Sequence, residues 1–185
     1  MECQESNCSR VATKDWKGRK VCSDCYDKYQ DKWDKIYQEL LKHRKDVGEL
    51  LGVALLDVIS RIITHDNSKF SDKEWPFFVE YTPRLKKTTY GSAKYKENLK
   101  KMAPAIKHHY ANNRHHPEYF KEGVGGMNLV DLIEMLCDWI AATKRHEDGN
   151  IEKSLEINQK RFGYSDELTV VLRNTVDYLR NGGGK

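Results

Sequence analysis

The sequence predicts an all-α protein preceded by a small zinc module, and three observations lead to this fold class. Apolar residues recur at helical spacing between Val47 and Ile63. No alternating strand pattern follows residue 34. Four of the five cysteines fall within the first 25 residues. We therefore expect a four-cysteine module at residues 1–33, a helical domain at residues 34–181 and a disordered tail at residues 182–185.

The composition is that of a folded protein with a mild positive charge. Of 185 residues, 38% are hydrophobic, which is enough to form a core. The longest apolar stretch, Leu50 to Ile59, contains Asp57 and is far shorter than the roughly 20 residues of a membrane span. No basic start precedes an apolar run, so no secretory leader is expected and a cytoplasmic location is predicted. The net charge of +4 permits an anionic ligand but does not require nucleic acid.

The cysteine cluster has the spacing of a zinc site. Four residues separate Cys3 from Cys8, and two separate Cys22 from Cys25. In a reducing compartment such pairs usually bind metal, with four free thiols as the alternative. Four thiolates close the coordination shell of Zn²⁺, so the site is expected to be structural rather than catalytic. The arrangement of the two pairs around a short hairpin at Trp16 to Val21 resembles treble-clef and ribbon-type zinc modules.

Capping residues and prolines delimit the expected helices. A first helix is expected to begin at Asp27. Polar residues suited to N-capping are predicted to open the later helices: Ser71 (with Glu74 completing a capping box), Ser92, Asn128, Asn150 and Ser165. Thr82-Pro83 and Tyr90-Gly91 are expected to bracket a loop, and Pro104 to force a kink or a restart. The helix from Leu129 is expected to reach about His146 and to bury Cys137 in apolar packing.

Histidines and carboxylates form a second candidate metal site, in the helical part. His65 and Asp66 are adjacent at the end of a long apolar helix, and an aspartate in this position can bridge two metals. A His115-His116 pair follows later in the chain. Asp131, Glu134 and Asp138 then recur at 3, 4 and 7 spacing on one helix, beside an apolar stripe. Neighbouring buried carboxylates repel each other unless a cation faces them, whereas a solvated acidic face is the ordinary alternative.

This order of residues resembles the HD superfamily of metal-dependent phosphohydrolases. The stretch from His65 to Lys69 is similar to its His-Asp-x-Gly-Lys element, with Ser68 in place of Gly. His115-His116-Pro117-Glu118 is similar to the His-His-x-Glu element of its cyclic-dinucleotide phosphodiesterase branch. The run from His43 to about Thr175 is closer still to an uncharacterised family of phage and bacterial proteins. If a phage encodes the chain, its expected location is the host cytoplasm.

The resemblance implies an HD-like helical fold and a ligand set in which some positions stay open. The implied metal ligands are His43, His65, Asp66, His109, His115, His116 and Asp138. His43 precedes His65 by 22 residues, about 33 Å along a continuous helix, so it can be a ligand only if the helix breaks near Gly48 or Gly52. A His108/His115 register remains an alternative to His109/His116. We expect His115 at the edge of the cavity and Lys69 at its mouth.

Two further carboxylates, Asp131 and Glu134, are expected to orient the histidines. The set suits one or two divalent metals, namely Mn, Fe, Zn, Ni, Co or Mg. The expected function is hydrolysis of a nucleotide or cyclic nucleotide phosphoester by a metal-activated water, with Asp66 and Lys69 as catalytic residues. The basic residues expected to contact phosphate are Lys69, Arg114, Lys144 and Arg145.

Two other classes of function stay open. One is a di-iron oxygenase on an HD-like scaffold. The other is a non-enzymatic binding module whose zinc part contacts a host protein or nucleic acid through Trp16, Lys17, Arg19 and Lys20. Neither involves a membrane partner. In all three classes the four cysteines hold a structural zinc.

Overall fold

The computed structural model describes residues 1–89, 92–145 and 149–183. It divides into two compact units, Met1–Leu55 and Leu56–Lys185. Among the described residues the chain is mostly helical, with one two-stranded sheet near the N-terminus, as the sequence predicts. Among all of these described residues, no helix is long and apolar enough to cross a bilayer.

The first unit opens with the predicted hairpin. Strand β1 (Lys14–Trp16) pairs antiparallel with β2 (Arg19–Val21). Gly18 takes a φ of 86° in the turn, a conformation that costs glycine little, and its N–H donates to Asp15 Oδ1 at 2.8 Å. Val21 is fully buried beside Cys3 and Cys22, with Trp16 and two tyrosines packed around them.

Helix α1 (Ser23–Thr64) begins four residues earlier than expected and is continuous for 42 residues. Cys25 therefore lies in its first turn, and the expected boundary between residues 33 and 34 lies inside the helix. Because α1 passes Gly48 and Gly52 without interruption, the break that would make His43 a metal ligand does not occur. The apolar side chains of α1 are largely exposed, with Leu50 at 73% and Ile62 at 74%.

The second unit contains six further helices among the residues that the structure describes. They are α2 (Trp75–Lys86), α3 (Ala93–Lys101), α4 (Ala103–Asn112), α5 (Leu129–Thr143), α6 (Ile151–Phe162) and α7 (Asp166–Arg180). Single 3₁₀ turns lie at Asn67–Phe70, Pro117–Tyr119 and Gly123–Gly126. Helices α5, α6 and α7 enclose a core that includes Leu136, Leu155 and Val176.

Most of the expected caps are confirmed. The side chains of Ser92, Asn128, Asn150 and Ser165 each accept a backbone N–H at the start of a helix. Asn128 and Asp131 form a reciprocal capping box. These bonds satisfy N–H groups that a helix leaves without internal partners, so they fix where α3, α5, α6 and α7 begin.

Three expectations about the helices are wrong. The capping box at Ser71 does not form, because α2 begins at Trp75 and the Glu74 side chain turns away from the helix end. Pro83 lies inside α2, so the helix continues beyond the expected start of the loop. Cys137 is exposed, because the core face of α5 is occupied by its neighbour Leu136 while Cys137 lines a shallow groove beside Val58.

Parts of three expectations fall outside the described residues. They are the end of the loop at Tyr90-Gly91, the helix end at His146, and the last two residues of the tail. Helix α5 itself ends at Thr143, followed by a turn at Lys144 and Arg145. Residues 182 and 183 of the tail belong to a turn that follows α7.

Candidate metal centre

Asp66 occupies a strained turn that directs its carboxylate into the second unit. It follows α1 directly and takes φ 59° and ψ 14°, a left-handed conformation that is uncommon outside glycine. Aspartate tolerates this region better than most residues. The turn allows the chain to leave α1 and enter the 3₁₀ turn Asn67–Phe70 at once, and the Asp66 side chain is only 14% exposed.

Three imidazoles present Nε2 to the Asp66 carboxylate. His109 Nε2 lies 3.2 Å from Asp66 Oδ1, and His115 Nε2 lies 3.4 Å from the same oxygen. His65 Nε2 lies 3.4 Å from Oδ2. His116 joins them through its Nε2, which lies 2.9 Å from His109 Nε2. Four ring nitrogens from three separate segments therefore surround one carboxylate.

Two atoms at the centre of this arrangement lack a hydrogen-bond partner. Asp66 Oδ1 and His115 Nε2 are both buried and unpaired among the residues that the structure describes. A buried polar atom without a hydrogen-bond partner costs about 1–3 kcal/mol of folding stability, so such atoms are rarely left unpaired. The donor set of Asp66, His109, His115 and His116 therefore fits a cation between these atoms.

The spacing of these donors also fits a metal. Ligands about 2.1 Å from an ion lie roughly 3.0 Å apart in an octahedron and 3.4 Å apart in a tetrahedron. The distances from His109 Nε2 to His116 Nε2 and from His115 Nε2 to Asp66 Oδ1, 2.9 and 3.4 Å, span this range. We call the group of Asp66, His109, His115 and His116 subsite A.

A second group of ligands shares Asp66 with the first. His65 Nε2 lies 3.4 Å from Asp66 Oδ2 and 3.8 Å from Asp138 Oδ1, and one ligand atom from each of the three residues lies within 4.8 Å of the others. We call His65, Asp66 and Asp138 subsite B. Since subsite A uses Oδ1 and subsite B uses Oδ2, Asp66 is placed to bridge two cations.

Glu134 fixes the orientation of two of these histidines. Its Oε1 accepts hydrogen bonds from His65 Nδ1 at 2.9 Å and from His115 Nδ1 at 3.1 Å. A proton on Nδ1 leaves the Nε2 lone pair free, which is the state that a metal requires. Glu134 also forms a candidate metal-binding group with His65 and His115, but its contacts are with the Nδ1 atoms of these histidines, so we assign it an orienting role.

Asp131 is linked to the histidines indirectly, through Arg61 and Glu134. Arg61 Nη1 donates to Asp131 Oδ1 at 2.7 Å and to Glu134 Oε2 at 3.0 Å, so it links the two carboxylates. Arg114 also binds Asp131, through Nη2 at 2.9 Å. The Asp131 side chain is fully buried, and these two guanidinium groups supply the positive charge that it needs.

Glu74 is a functional candidate that the sequence analysis missed. It is fully buried, its Oε1 accepts from His108 Nδ1 at 2.7 Å, and its Oε2 accepts from His109 Nδ1 at 3.0 Å. It therefore does for His109 what Glu134 does for His65 and His115. The Ser71-to-Glu74 spacing suggested helix capping, and no local signal pointed to histidines 34 and 35 residues away.

The structure brings most of the candidate ligands together. His109, His115 and His116 all meet at Asp66, whereas His108 faces Glu74, so among the described residues the His108/His115 register does not form and His115 joins the His109/His116 pair. The expectation that His115 lies at the cavity edge is wrong, because its ring is held between Asp66 and Glu134 with 2% of its side chain exposed. The candidate metal-binding groups among the described residues do not include His43.

Hydrogen bonds and burial shift the pKa values in this centre. The nearby carboxylates of Asp138 and Glu134 raise the pKa of His65 to about 10, so a cation binding at its Nε2 would displace a proton. Burial alone would raise the pKa of Asp66, but the nearby imidazoles of His109 and His115 and the ammonium of Lys69 outweigh it and the pKa is lowered. Burial and the charges of the neighbouring histidines lower the pKa of His116 to about 3. The carboxylate is thus ionised and His116 offers a lone pair.

The candidate phosphate-binding residues are dispersed. Lys69 Nζ contacts Asp66 Oδ2, and both line a cavity of about 530 Å³ together with Arg145 and Lys86. Lys86 was not among the expected residues. Lys144 lines a different cavity, and Arg114 is engaged with Asp131.

The first unit holds a separate thiol centre. The sulfurs of Cys3, Cys8, Cys22 and Cys25 all lie within 4.8 Å of one another, and none is in a disulfide. The distance from Cys8 Sγ to Cys22 Sγ is 3.7 Å, close to the roughly 3.8 Å between thiolates that share a tetrahedral zinc at 2.3 Å. A backbone hydrogen bond from Cys25 lowers the pKa of Cys22 to about 7, which favours its thiolate.

The fold and the centre define a mostly helical protein with a candidate metal site made of imidazoles and carboxylates. Residues 32–181 match DUF5662, a family of unknown function, and since this range is most of the chain, the protein belongs to that family. No curated protein and no solved structure matches the sequence. The family assignment carries no activity, so the proposal below depends on the residues described above.

The contact of Glu74 with His109 leads to a testable prediction. We expect Glu74→Ala to weaken divalent metal binding in the helical unit by about 10- to 100-fold, because His109 Nδ1 loses its carboxylate acceptor and keeps the neutral Ser68 hydroxyl at 3.0 Å. Glu74→Gln should weaken it less, since the amide keeps one acceptor. Competition with a chelator measures the affinity.

The matched control for this prediction is Glu80→Gln. Glu80 lies in α2, which begins directly after Glu74, but it is half exposed and pairs with Arg84 at 3.0 Å. Its substitution should leave metal affinity unchanged. An unchanged affinity in Glu74→Ala would show that Glu74 does not orient a ligand.

Proposed function

We propose that the protein is a metal-dependent phosphohydrolase on an HD-like helical scaffold, acting on a nucleotide or cyclic nucleotide phosphoester. One observation carries the proposal. The Asp66 carboxylate, with a buried unpaired oxygen, is surrounded by imidazole nitrogens and opens into a cavity that contains cationic side chains. A centre built only for packing gains nothing from gathering such groups.

The residues of subsites A and B would hold one or two divalent cations. Imidazole and carboxylate ligands suit Mn, Fe, Zn, Ni, Co and, at the more carboxylate-rich subsite B, Mg. Such a cation supplies a lowered pKa for bound water and a positive charge opposite phosphoryl oxygens. Glu74 and Glu134 keep the ligand histidines in the tautomer that presents Nε2.

Cationic side chains in the same cavity would position the phosphoester. The Lys69 ammonium lies against Asp66 Oδ2 and 5.3 Å from the centre of the Phe78 ring, so it is held between the ligands and the cavity. The same cavity is also lined by Lys86 and Arg145, which come later in the sequence than Asp66. Lysine ammonium groups and arginine guanidinium groups both bind phosphate oxygens, the latter through two parallel hydrogen bonds.

In the first unit we propose a structural zinc bound by Cys3, Cys8, Cys22 and Cys25. Four cysteine ligands leave no open position, which is typical of structural sites. The described core of this unit has three buried residues, and apart from the two cysteines the buried apolar residue is Val21. A core of this size gives little stability by itself, so a metal is the expected source.

The phosphohydrolase proposal is tested by a phosphate-release screen. Purified protein with Mn²⁺ is incubated with nucleoside monophosphates, cyclic nucleotides and a chromogenic phosphodiester. We expect metal-dependent turnover that falls by at least about 100-fold in a His65→Ala plus Asp66→Ala variant. A His43→Ala plus Asp46→Ala variant, which changes the same residue types on the exposed surface of α1, should retain it.

The alternatives predict different results in the same preparation. A di-iron oxygenase would contain two irons and consume O₂ without releasing phosphate. A binding module would fold with no divalent cation at the histidines. Absence of metal-dependent turnover on every phosphorylated substrate would refute the phosphohydrolase.

A further inference from the structure

Two exposed aromatic rings are among the residues that line the metal-centre cavity. Phe70 and Trp75 stack on each other with ring centroids 5.6 Å apart and an interplanar angle of 30°. Phe70 is 71% exposed and Trp75 is 49% exposed. Large apolar groups that remain accessible in this way commonly mark a binding surface.

Both rings line the cavity that contains metal-centre residues. The cavity of about 530 Å³ is bordered by Phe70, Trp75, His65 and Asp66, and its volume lies in the range of about 300–1,000 Å³ typical of small-ligand sites. Lys86, a cation with no part in the metal centre, also lines this cavity. The cavity is therefore lined by candidate metal ligands, by cationic side chains suited to phosphate and by aromatic rings.

The position of the aromatic pair is fixed with respect to the metal centre. Phe70 ends the 3₁₀ turn whose N-cap residue is Asp66, so three residues separate the ring from the central carboxylate. Trp75 opens α2 directly after Glu74, which is anchored to His108 and His109. The chain segments that orient the metal ligands thus also present the two rings.

We infer that Phe70 and Trp75 form a stacking subsite for the nucleobase of the phosphoester substrate. A base has a flat π-face, and stacking on aromatic side chains is tolerant of base identity. The subsite therefore selects for a base on the phosphoester without selecting which base. This inference rests on the proposed function, since the phosphate end of the same ligand would lie at the cations and Asp66.

The test compares binding of two phosphonates that cannot be hydrolysed. One is adenosine 5′-phosphonate, in which a methylene group replaces the ester oxygen, and the other is the matching ribose 5-phosphonate without a base. Calorimetry on Mn²⁺-supplemented full-length protein measures both. We expect the adenosine compound to bind about 5- to 100-fold more tightly.

Variants locate this difference on the aromatic pair. Trp75→Ala and, separately, Phe70→Ala should reduce the adenosine affinity toward that of the ribose compound and leave the ribose compound unchanged. Trp75→Phe should retain most of the difference. Trp33→Ala is the matched control, because Trp33 is a 40% exposed ring stacked on Tyr37 at 4.9 Å in the other unit.

The outcomes separate this inference from the proposed function. If both phosphonates bind equally, the stacking subsite is refuted while the phosphohydrolase proposal stands. If neither binds, both are refuted. If the adenosine compound binds more tightly but no variant of Phe70 or Trp75 alters this, the base lies elsewhere and the inference is refuted. Because Phe70 is largely exposed, its variant tests the idea even if Trp75→Ala fails to fold.

Discussion

Replacing Asp66 with asparagine is expected to remove divalent cations from both subsites and to lower metal-dependent turnover by at least about 1,000-fold. Asp66 is the one residue that both groups of candidate ligands share among the described residues. Asparagine keeps the shape of the side chain but offers a single neutral oxygen, so subsite A loses its carboxylate and subsite B keeps only that of Asp138. The left-handed turn is also suited to asparagine, so the fold should be retained.

Elemental analysis distinguishes this loss from a general defect. Asp138→Asn should empty subsite B alone, because Asp138 contacts His65 at 3.8 Å and belongs to no other group. Asp72→Asn changes an exposed carboxylate six residues from Asp66 and should lose nothing. If Asp66→Asn keeps the metal content of the unmodified protein, Asp66 does not bridge two cations.

The parts of the structure that could be predicted from sequence are those set by local chemistry. Asn128 and Ser165 cap their helices because a short polar side chain can reach a free backbone N–H within three residues. The hairpin around Gly18 forms because the turn needs a positive φ. Adjacent residues such as His65 and Asp66 necessarily share a location, so their pairing was visible in the sequence.

The parts that could not be predicted depend on contacts between distant segments. Glu74 followed a serine at capping distance, and only the folded structure shows that its carboxylate, just before α2, meets His108 and His109 of α4. The depth of His115 is likewise set by Glu134, which lies on α5. Helical periodicity could not show that Cys137 faces outward, since its neighbour Leu136 occupies the core.

Replacing Cys22 with serine is expected to release the zinc that we propose for the first unit and to unfold its hairpin. Structural zinc contributes about 10–16 kcal/mol in small zinc-finger peptides, far more than the few buried residues of this unit supply. Cys22 is 4% exposed, its sulfur lies 3.7 Å from that of Cys8, and its N–H donates to Cys3 Sγ at 3.3 Å. A serine oxygen is a much poorer zinc ligand than a thiolate.

Three measurements check this expectation. Zinc content should fall by one per chain, the amide protons of β1 and β2 should lose protection from exchange, and metal binding at Asp66 should be unchanged. Cys137→Ser is the matched control, because that thiol is exposed and belongs to no candidate metal group of the described residues. Retention of the zinc would refute the four-cysteine site. We expect the helical unit to stay folded in Cys22→Ser, because Leu136, Leu155 and Val176 give it a core of its own. Cooperative unfolding of the helical unit in this variant would refute that independence.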